Sequence, residues 1–206
     1  MPYPTKRTHF GNYAFDLYED VYEPAEDTLL FAENLEVKAG ERVLDVGTGC
    51  GILAIIAAKK GGSVVAVDLN PFAVRCAKKN SVLNNVHDKI DFVQTSLFTA
   101  LNETAKFNLI SFNAPYLPSE DGESETWIGR AWAGGANGRE VVDRFISEVP
   151  AHLKPCGRVL LMQSTLTGVE ETLQKFSQNN LKATVKAEQK LPFFETLTLI
   201  EAQAGE

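Results

Sequence analysis

The chain has 206 residues, 44% of them hydrophobic and 23% charged, with a formal net charge of −7. That length fits one domain with a full buried α/β core, and the balance is that of an ordinary globular protein. The acidic excess argues against a nucleic-acid coat, which needs clustered Lys and Arg to neutralise phosphates, and leaves protein or small-molecule substrates open.

Residues 1–10 are too polar for a signal peptide, and no stretch approaches the ~20 apolar residues of a membrane helix. Residues 1–40 read as an N-terminal segment and helix, and 41–206 as the core of a single domain. Arg42–Val46 is a short apolar run ending at glycines, a buried parallel strand. Gly51–Lys60 is helical and stops at Gly61-Gly62. Ser63–Leu69 is a second buried strand, after which Asn70 caps a helix with Pro71 in its first turn. Ile90–Ser96, Phe107–Asn113 and Gly157–Ser164 continue the series as strands, and Thr167-Gly168-Val169-Glu170 has the spacing of a capping box. Leu181–Lys190 and Glu195–Ala202 are two last strands joined by a short turn at Pro192-Phe193-Phe194, hence antiparallel. Alternating strands and helices imply a doubly wound α/β sheet.

Between Leu117 and about Gly138 no strand or clear helix is expected. There is an acidic stretch (Glu120, Asp121, Glu123, Glu125), then Trp127 and Trp132 among glycines. A structureless loop of this length is functional or disordered; holding both tryptophans of the chain favours a folded, substrate-facing loop over a solvated one. Cys50, Cys76 and Cys156 are isolated and odd in number, as in reduced thiols of a cytoplasmic protein. His9, His87 and His152 are equally scattered, so no bound metal is expected.

The loop Asp45-Val46-Gly47-Thr48-Gly49-Cys50-Gly51 spaces its glycines G-x-G-x-G, whereas the dinucleotide fingerprint is G-x-G-x-x-G. That spacing disfavours a dehydrogenase and is the one found in class I methyltransferases. Glycines here let the backbone approach a ligand at a helix N-terminus. Asp68, at the end of the next strand, is either a turn residue or an acceptor for two ribose hydroxyls; its pairing with the glycine loop favours the ribose. Asp45 is placed to receive an ammonium group, directly or through water.

Asn113-Ala114-Pro115-Tyr116 ends a strand adjoining the first, where open α/β sheets bind ligands. An Asx-type turn with an aromatic plug is one reading. The other is that it resembles the Asn-Pro-Pro-Tyr motif of methyltransferases acting on amide or exocyclic amino nitrogens. There an Asn oxygen and the next carbonyl accept both N–H protons of a poorly nucleophilic nitrogen and orient it for in-line attack. Ala114 departs from that motif, but only its carbonyl is needed.

Tyr22-Glu23-Pro24-Ala25-Glu26-Asp27-Thr28 and Ala131-Trp132-Ala133-Gly134-Gly135-Ala136-Asn137-Gly138-Arg139-Glu140-Val141 extend the resemblance from about residue 20 to the Glu195-Thr196-Leu197 strand. Together they resemble the HemK-like release-factor glutamine N5-methyltransferases of archaea and eukaryotes. The resemblance implies a class I methyltransferase fold, a Rossmann-like seven-stranded sheet of order 3-2-1-4-5-7-6, mostly parallel with a C-terminal antiparallel hairpin. It implies S-adenosylmethionine as methyl donor and a class I peptide release factor, methylated in its Gly-Gly-Gln loop, as substrate. Thr28, Asp45, Gly47 and Gly49 would then surround the donor's amino-acid end, Asp68 its ribose, and Ser96-Leu97 its adenine. Asn113, Pro115 and Tyr116 would position the amide, with Asn113 also bordering the donor. Ser96 stands where the family commonly has Asp, which weakens that contact. The resemblance further implies a small zinc-binding activator subunit. Strand Ile90–Ser96 would be the sheet edge for it, with no lysine after Lys89 to block pairing; a simple edge protected by Asp91 is the alternative. Two other functions fit parts of the sequence. An RNA or DNA adenine N6-methyltransferase shares the Asn-x-Pro-Tyr chemistry, but the acidic balance and lack of a separate recognition domain oppose it. A cofactor-binding module without catalysis is opposed by the intact Asn113 and Tyr116.

Overall fold

The computed structural model describes residues 4–120 and 122–205; Asp121 of the acidic stretch lies outside them. The chain divides into two compact units, Met1–Ala100 and Leu101–Glu206.

In the first unit, strands β1 (Lys6–Phe10) and β2 (Tyr13–Leu17) form an antiparallel hairpin, followed by helix α1 (Glu26–Asn34). Strand β3 (Arg42–Val46) buries Val43, Leu44 and Val46, so it reads as an apolar run rather than an alternation. Helix α2 (Ile52–Lys59) is buried at every residue from Ile52 to Ala58, with Ala54, Ala57 and Ala58 giving close approach. Gly51 precedes it at φ 89, and a Cβ there would stand 2.9 Å from that of Ala77. Glycine is therefore required twice over, by conformation and by space.

Strand β4 (Ser63–Asp68) lies parallel to β3, and β5 (Ile90–Gln94) parallel to β4. Helix α3 (Pro71–Leu83) is capped as expected, the Asn70 side chain accepting from the Phe72 N–H at 2.9 Å. Two asparagines of α3 behave like a strand edge towards the hairpin. Asn80 accepts from the Asp16 N–H at 2.8 Å and donates to the Asp16 carbonyl at 3.0 Å; Asn84 donates to the Ala14 carbonyl at 2.7 Å. These bonds satisfy the outer edge of β2.

In the second unit, β6 (Phe107–Asn113) and β7 (Leu153–Ser164) are parallel. Strand β9 (Thr196–Ala204) runs antiparallel to β7, and β8 (Leu181–Lys190) antiparallel to β9. Helices α4 (Trp127–Trp132), α5 (Glu140–Glu148) and α6 (Val169–Gln178) complete it. Phe112 and Phe145 pack with ring centroids 4.8 Å apart, tying β6 to α5. The seven-stranded sheet has the order β5-β4-β3-β6-β7-β9-β8, the order expected for a class I methyltransferase fold.

The structure corrects three sequence-based expectations. The 117–138 segment holds a 3-10 turn at Glu123–Glu125 and helix α4, capped by Thr126 Oγ1 accepting from the Gly129 N–H at 2.9 Å. Six residues are too few for helical periodicity to stand out in sequence. The capping box at Thr167 does not form. Gly168, at φ 74, occupies the N-cap, while the Thr167 hydroxyl donates to the Ser164 carbonyl at 3.0 Å. The strand expected to reach Ser96 stops at Gln94. No helix among the described residues is long and apolar enough to cross a membrane.

Candidate active site

After β3 the chain enters the glycine loop with Gly47, Gly49 and Gly51 at φ 63, 56 and 89. Three alternate residues in the left-handed region turn the backbone sharply, and the loop leads into the N-terminus of α2. Two bonds stabilise it: the Thr48 N–H donates to the Val67 carbonyl at 3.0 Å and the Gly51 N–H to the Thr48 carbonyl at 2.8 Å. Asp45 is buried beneath, its carboxylate accepting from the Thr48 hydroxyl at 2.7 Å. The Asp68 carboxylate accepts from the Gly49 N–H at 2.9 Å and the Asn70 N–H at 2.8 Å. Loss of water raises its pKa above the ordinary 3.8, against the pull of the Asn70, Gly49 and Leu69 amides. A carboxylate has about four acceptor positions, so these bonds leave room for hydroxyl donors.

Thr28 is buried in the first turn of α1, where its N–H and hydroxyl both meet the Asp27 carboxylate, at 2.5 and 3.1 Å. The Tyr22 hydroxyl reaches the same carboxylate at 3.4 Å, and burial followed by the Asp27 charge raises its pKa. The Tyr22–Thr28 motif is thus a polar corner built on Asp27, whose part in it the sequence alone does not single out. Beyond β5, the Thr95 N–H donates to the Asp68 carbonyl at 2.9 Å, bringing Ser96 and Leu97 to the end of β4. Leu97 is buried at φ 46, a conformation that costs a non-glycine residue about 1 kcal/mol and that local packing must hold. The first unit therefore gathers Asp45, Gly47, Gly49, Asp68, Ser96 and Leu97 around the carboxyl ends of β3, β4 and β5.

In the second unit Asn113 closes β6 with a buried side-chain oxygen, in register with Met162 of β7. Ala114 and Tyr116 are buried and Pro115 half-buried. The next residues are pinned to the far end of the tryptophan segment. The Leu117 N–H donates to the Trp132 carbonyl at 3.0 Å, the Gly134 N–H to the Leu117 carbonyl at 2.8 Å, and the Ser119 N–H to the Gly135 carbonyl at 3.0 Å. Gly138, at φ 70, sits so close that a Cβ would strike the Tyr116 carbonyl oxygen and the Thr167 methyl. That is why the run is rich in glycine. Arg139, 4% exposed, holds the whole run down. Its guanidinium donates to the Thr167 carbonyl, to that of Gly168 at 3.0 Å and to Thr172 Oγ1 at 3.1 Å. It also pairs with Asp143 at 2.8 Å and Glu171 at 3.2 Å. Trp127 is half-buried with the Arg130 guanidinium 5.0 Å from its ring centre. In sequence Gly138 and Arg139 stand out only as part of the Ala131–Val141 motif, and Arg139, next to Glu140, carries no local signal of its burial.

A family model described as ribosomal protein L11 methyltransferase matches residues 26–114, the segment from α1 to the Asn113 turn. Over nearly the whole chain the similarity is to another group. A Methanocaldococcus jannaschii protein named as a protein N5-glutamine methyltransferase is 45% identical over 185 residues, 89% of this chain and 92% of that one. The human methyltransferase HEMK2 is 39% identical, over 85% of each chain. The chain belongs to the N5-glutamine methyltransferase family. Among solved structures, the E. cuniculi Mtq2–Trm112 complex, described as responsible for methylation of the eRF1 translation termination factor, superposes with a TM-score of 0.70. It covers 90% of this chain and 99% of that one at 25% identity.

As a member of this family, the methyltransferase is an enzyme that uses S-adenosylmethionine as methyl donor. The glycine loop and Asp68 fit that molecule: a turn of glycines at a helix N-terminus and a sheltered carboxylate with acceptor positions to spare.

Proposed function

We propose that this methyltransferase modifies the side-chain amide nitrogen of a glutamine in a class I peptide release factor, within its Gly-Gly-Gln loop. The observation that carries the reading is the Asn113-Ala114-Pro115-Tyr116 turn: it ends β6 with a buried asparagine oxygen and is clamped by the Gly134–Arg139 run. The names of the relatives support it, since bacterial release factor glutamine methyltransferases also match, one from Deinococcus radiodurans at 37% identity over 68% of this chain.

In this reading Thr28, Asp45, Gly47 and Gly49 hold the amino-acid end of S-adenosylmethionine, Asp68 accepts from its ribose hydroxyls, and Ser96 and Leu97 flank its adenine. The bound donor supplies a sulfonium-activated methyl group. Asn113 Oδ1 and the Ala114 carbonyl accept the two N–H protons of the glutamine amide, turning its nitrogen towards that methyl, and one proton leaves to water after transfer. Pro115 fixes the turn, and Tyr116 packs against the planar amide. Such positioning is worth most for an amide, whose lone pair is delocalised and whose intrinsic nucleophilicity is low. In this reading the chain is a single catalytic domain with residues 41–206 as its core. The free cysteines support a reducing, cytoplasmic location.

We also propose a small zinc-binding partner subunit that adds to the exposed edge of β5. The reading is supported by the place of β5 at the end of the sheet and by exposed apolar residues nearby, Leu69, Phe72, Val82 and Leu83. Transfer of labelled methyl from S-adenosylmethionine to purified release factor, compared with total tRNA and rRNA, tests the substrate. Nucleic acid methylated faster than the factor would overturn it. Co-expression with a zinc-ribbon protein should raise solubility and turnover, and Val93→Pro should abolish the gain.

A further inference from the structure

The turn between β8 and β9 is closed by the Leu191 N–H donating to the Glu195 carbonyl at 2.8 Å. It carries Phe193 and Phe194, which are 95% and 102% exposed. Both have left-handed backbones, at φ 60 and 66. A glycine or asparagine would make this turn with less strain and without putting two aromatic rings in water. A local folding role therefore does not explain them.

Their position does. Ser164, the last residue of β7, pairs with Leu197 of β9, so the turn stands off the carboxyl end of β7. Strand β6 is parallel to β7 and its carboxyl end is Asn113, so the aromatic turn and Asn113 lie at the same end of the sheet. Two strand spacings separate their strands, roughly 10 Å sideways. The turn that follows β7 joins the group: the Thr196 N–H donates to Thr165 Oγ1 at 3.0 Å, and the next residue, Leu166, is 56% exposed. The described charges flanking this end are mainly acidic: exposed Glu170 starting α6, Glu195 in the turn itself, and Glu120, Glu123 and Glu125 following the Asn113 turn, against exposed Lys190 at the end of β8 and Arg130 of α4.

We propose that Phe193, Phe194 and Leu166 form a docking surface for the body of the methyl-acceptor protein, gripping an apolar recess bordered by Lys or Arg at a distance from the methylated side chain. The inference rests on the reading of the acceptor as a folded protein. Charge complementarity selects a basic polypeptide and opposes a nucleic acid, whose phosphates the glutamates repel. A separation of roughly 10 Å exceeds the span of one side chain, so the patch reads a part of the acceptor other than the reacting glutamine. Exposed aromatic pairs of this kind act as binding anchors when covered.

The test is the variant Phe193→Gly/Phe194→Gly. Glycine suits the positive φ, so Tm should be equal or higher, and S-adenosylhomocysteine affinity by calorimetry should be unchanged. KM for folded release factor should rise by roughly 10–100-fold with kcat held within about twofold, and the Kd for the factor should rise in parallel. Phe193→Leu/Phe194→Leu should restore much of the affinity. Equal Kd for release factor in the wild type and the glycine variant would overturn the docking proposal. So would a loss confined to kcat, or wild-type self-association that the variant abolishes. A wild-type enzyme that binds the factor but transfers no methyl would instead overturn the earlier substrate reading.

Discussion

Gly138→Ala isolates the clamp on the Asn113 turn. Position 138 has φ 70, which an L-residue adopts at a cost of about 1 kcal/mol. The added methyl would also strike the Tyr116 carbonyl oxygen and the Thr167 methyl and come within 3.1 Å of the Pro118 nitrogen. Two of these three are backbone atoms, so relief requires the 116–118 segment to move, an overpacking cost of about 1–3 kcal/mol. The expected loss is about 2–4 kcal/mol, or a fall in Tm of roughly 4–16 °C for a chain of this size. Because the segment that moves follows Asn113 by three residues, turnover should fall by about 10²-fold, the scale of an ångström of misplacement. Gly135→Ala is the control. Its φ is 82, but the nearest clash, at 2.7 Å, is with the end of the exposed Glu140 side chain. The carboxylate end can swing away, leaving the conformational term and a 3.2 Å contact with the Glu140 Cβ, a smaller cost than moving the backbone. Thermal melts and methyl transfer measured on both variants decide the matter: equal effects at 135 and 138, or wild-type turnover in Gly138→Ala, would refute the clamp.

Asp68→Asn should weaken S-adenosylhomocysteine binding and flatten its pH dependence. The folded carboxyl holds its proton more tightly than an ordinary one, so its own contribution to apo stability grows as pH falls. Binding needs the ionised form, and affinity should drop as pH falls through the carboxyl's raised titration range; parallel calorimetric pH profiles for both proteins would sink the assignment. Asn113→Ala should keep the fold and most donor affinity while cutting turnover by about 10²–10³-fold, and a loss below about tenfold would remove its assigned role. Alkylation at pH 8 should label one thiol in the native protein, the exposed Cys156, and three in denaturant. Burial pushes the Cys50 thiol up to about 12 and raises that of Cys76 as well, so fast native labelling of either would contradict the packing.

The parallel core was legible because its signals are local. The runs at Arg42–Val46 and Phe107–Asn113 coincide with β3 and β6, since strands covered on both faces must be apolar throughout and end where glycine or asparagine begins a turn. Asn70 capping Pro71–Leu83 was legible for the same reason: cap, proline and helix are adjacent in sequence. The β1–β2 hairpin has a local signal of its own in the two-residue Gly11-Asn12 turn; what was not legible is that its outer edge is satisfied by Asn80 and Asn84, some 64 to 70 positions away. Thr167 has the spacing of a cap, yet Gly168 takes that place, and the carbonyls of both accept from Arg139, about thirty positions upstream.

The same division runs through the site. The amino-acid order determined which chemical groups are available, the glycine spacing, the two aspartates and the Asn-Ala-Pro-Tyr turn, because each is a short segment whose chemistry depends on neighbours. Only tertiary structure decided that Asp68 accepts from the Gly49 amide and that Gly138 lies on the Tyr116 carbonyl. It alone brought the strained aromatic turn at Phe193-Phe194 to the end of the sheet where Asn113 stands. Those relations depend on strand register and on space between distant segments, and register is fixed by the packing of whole faces rather than by any one residue.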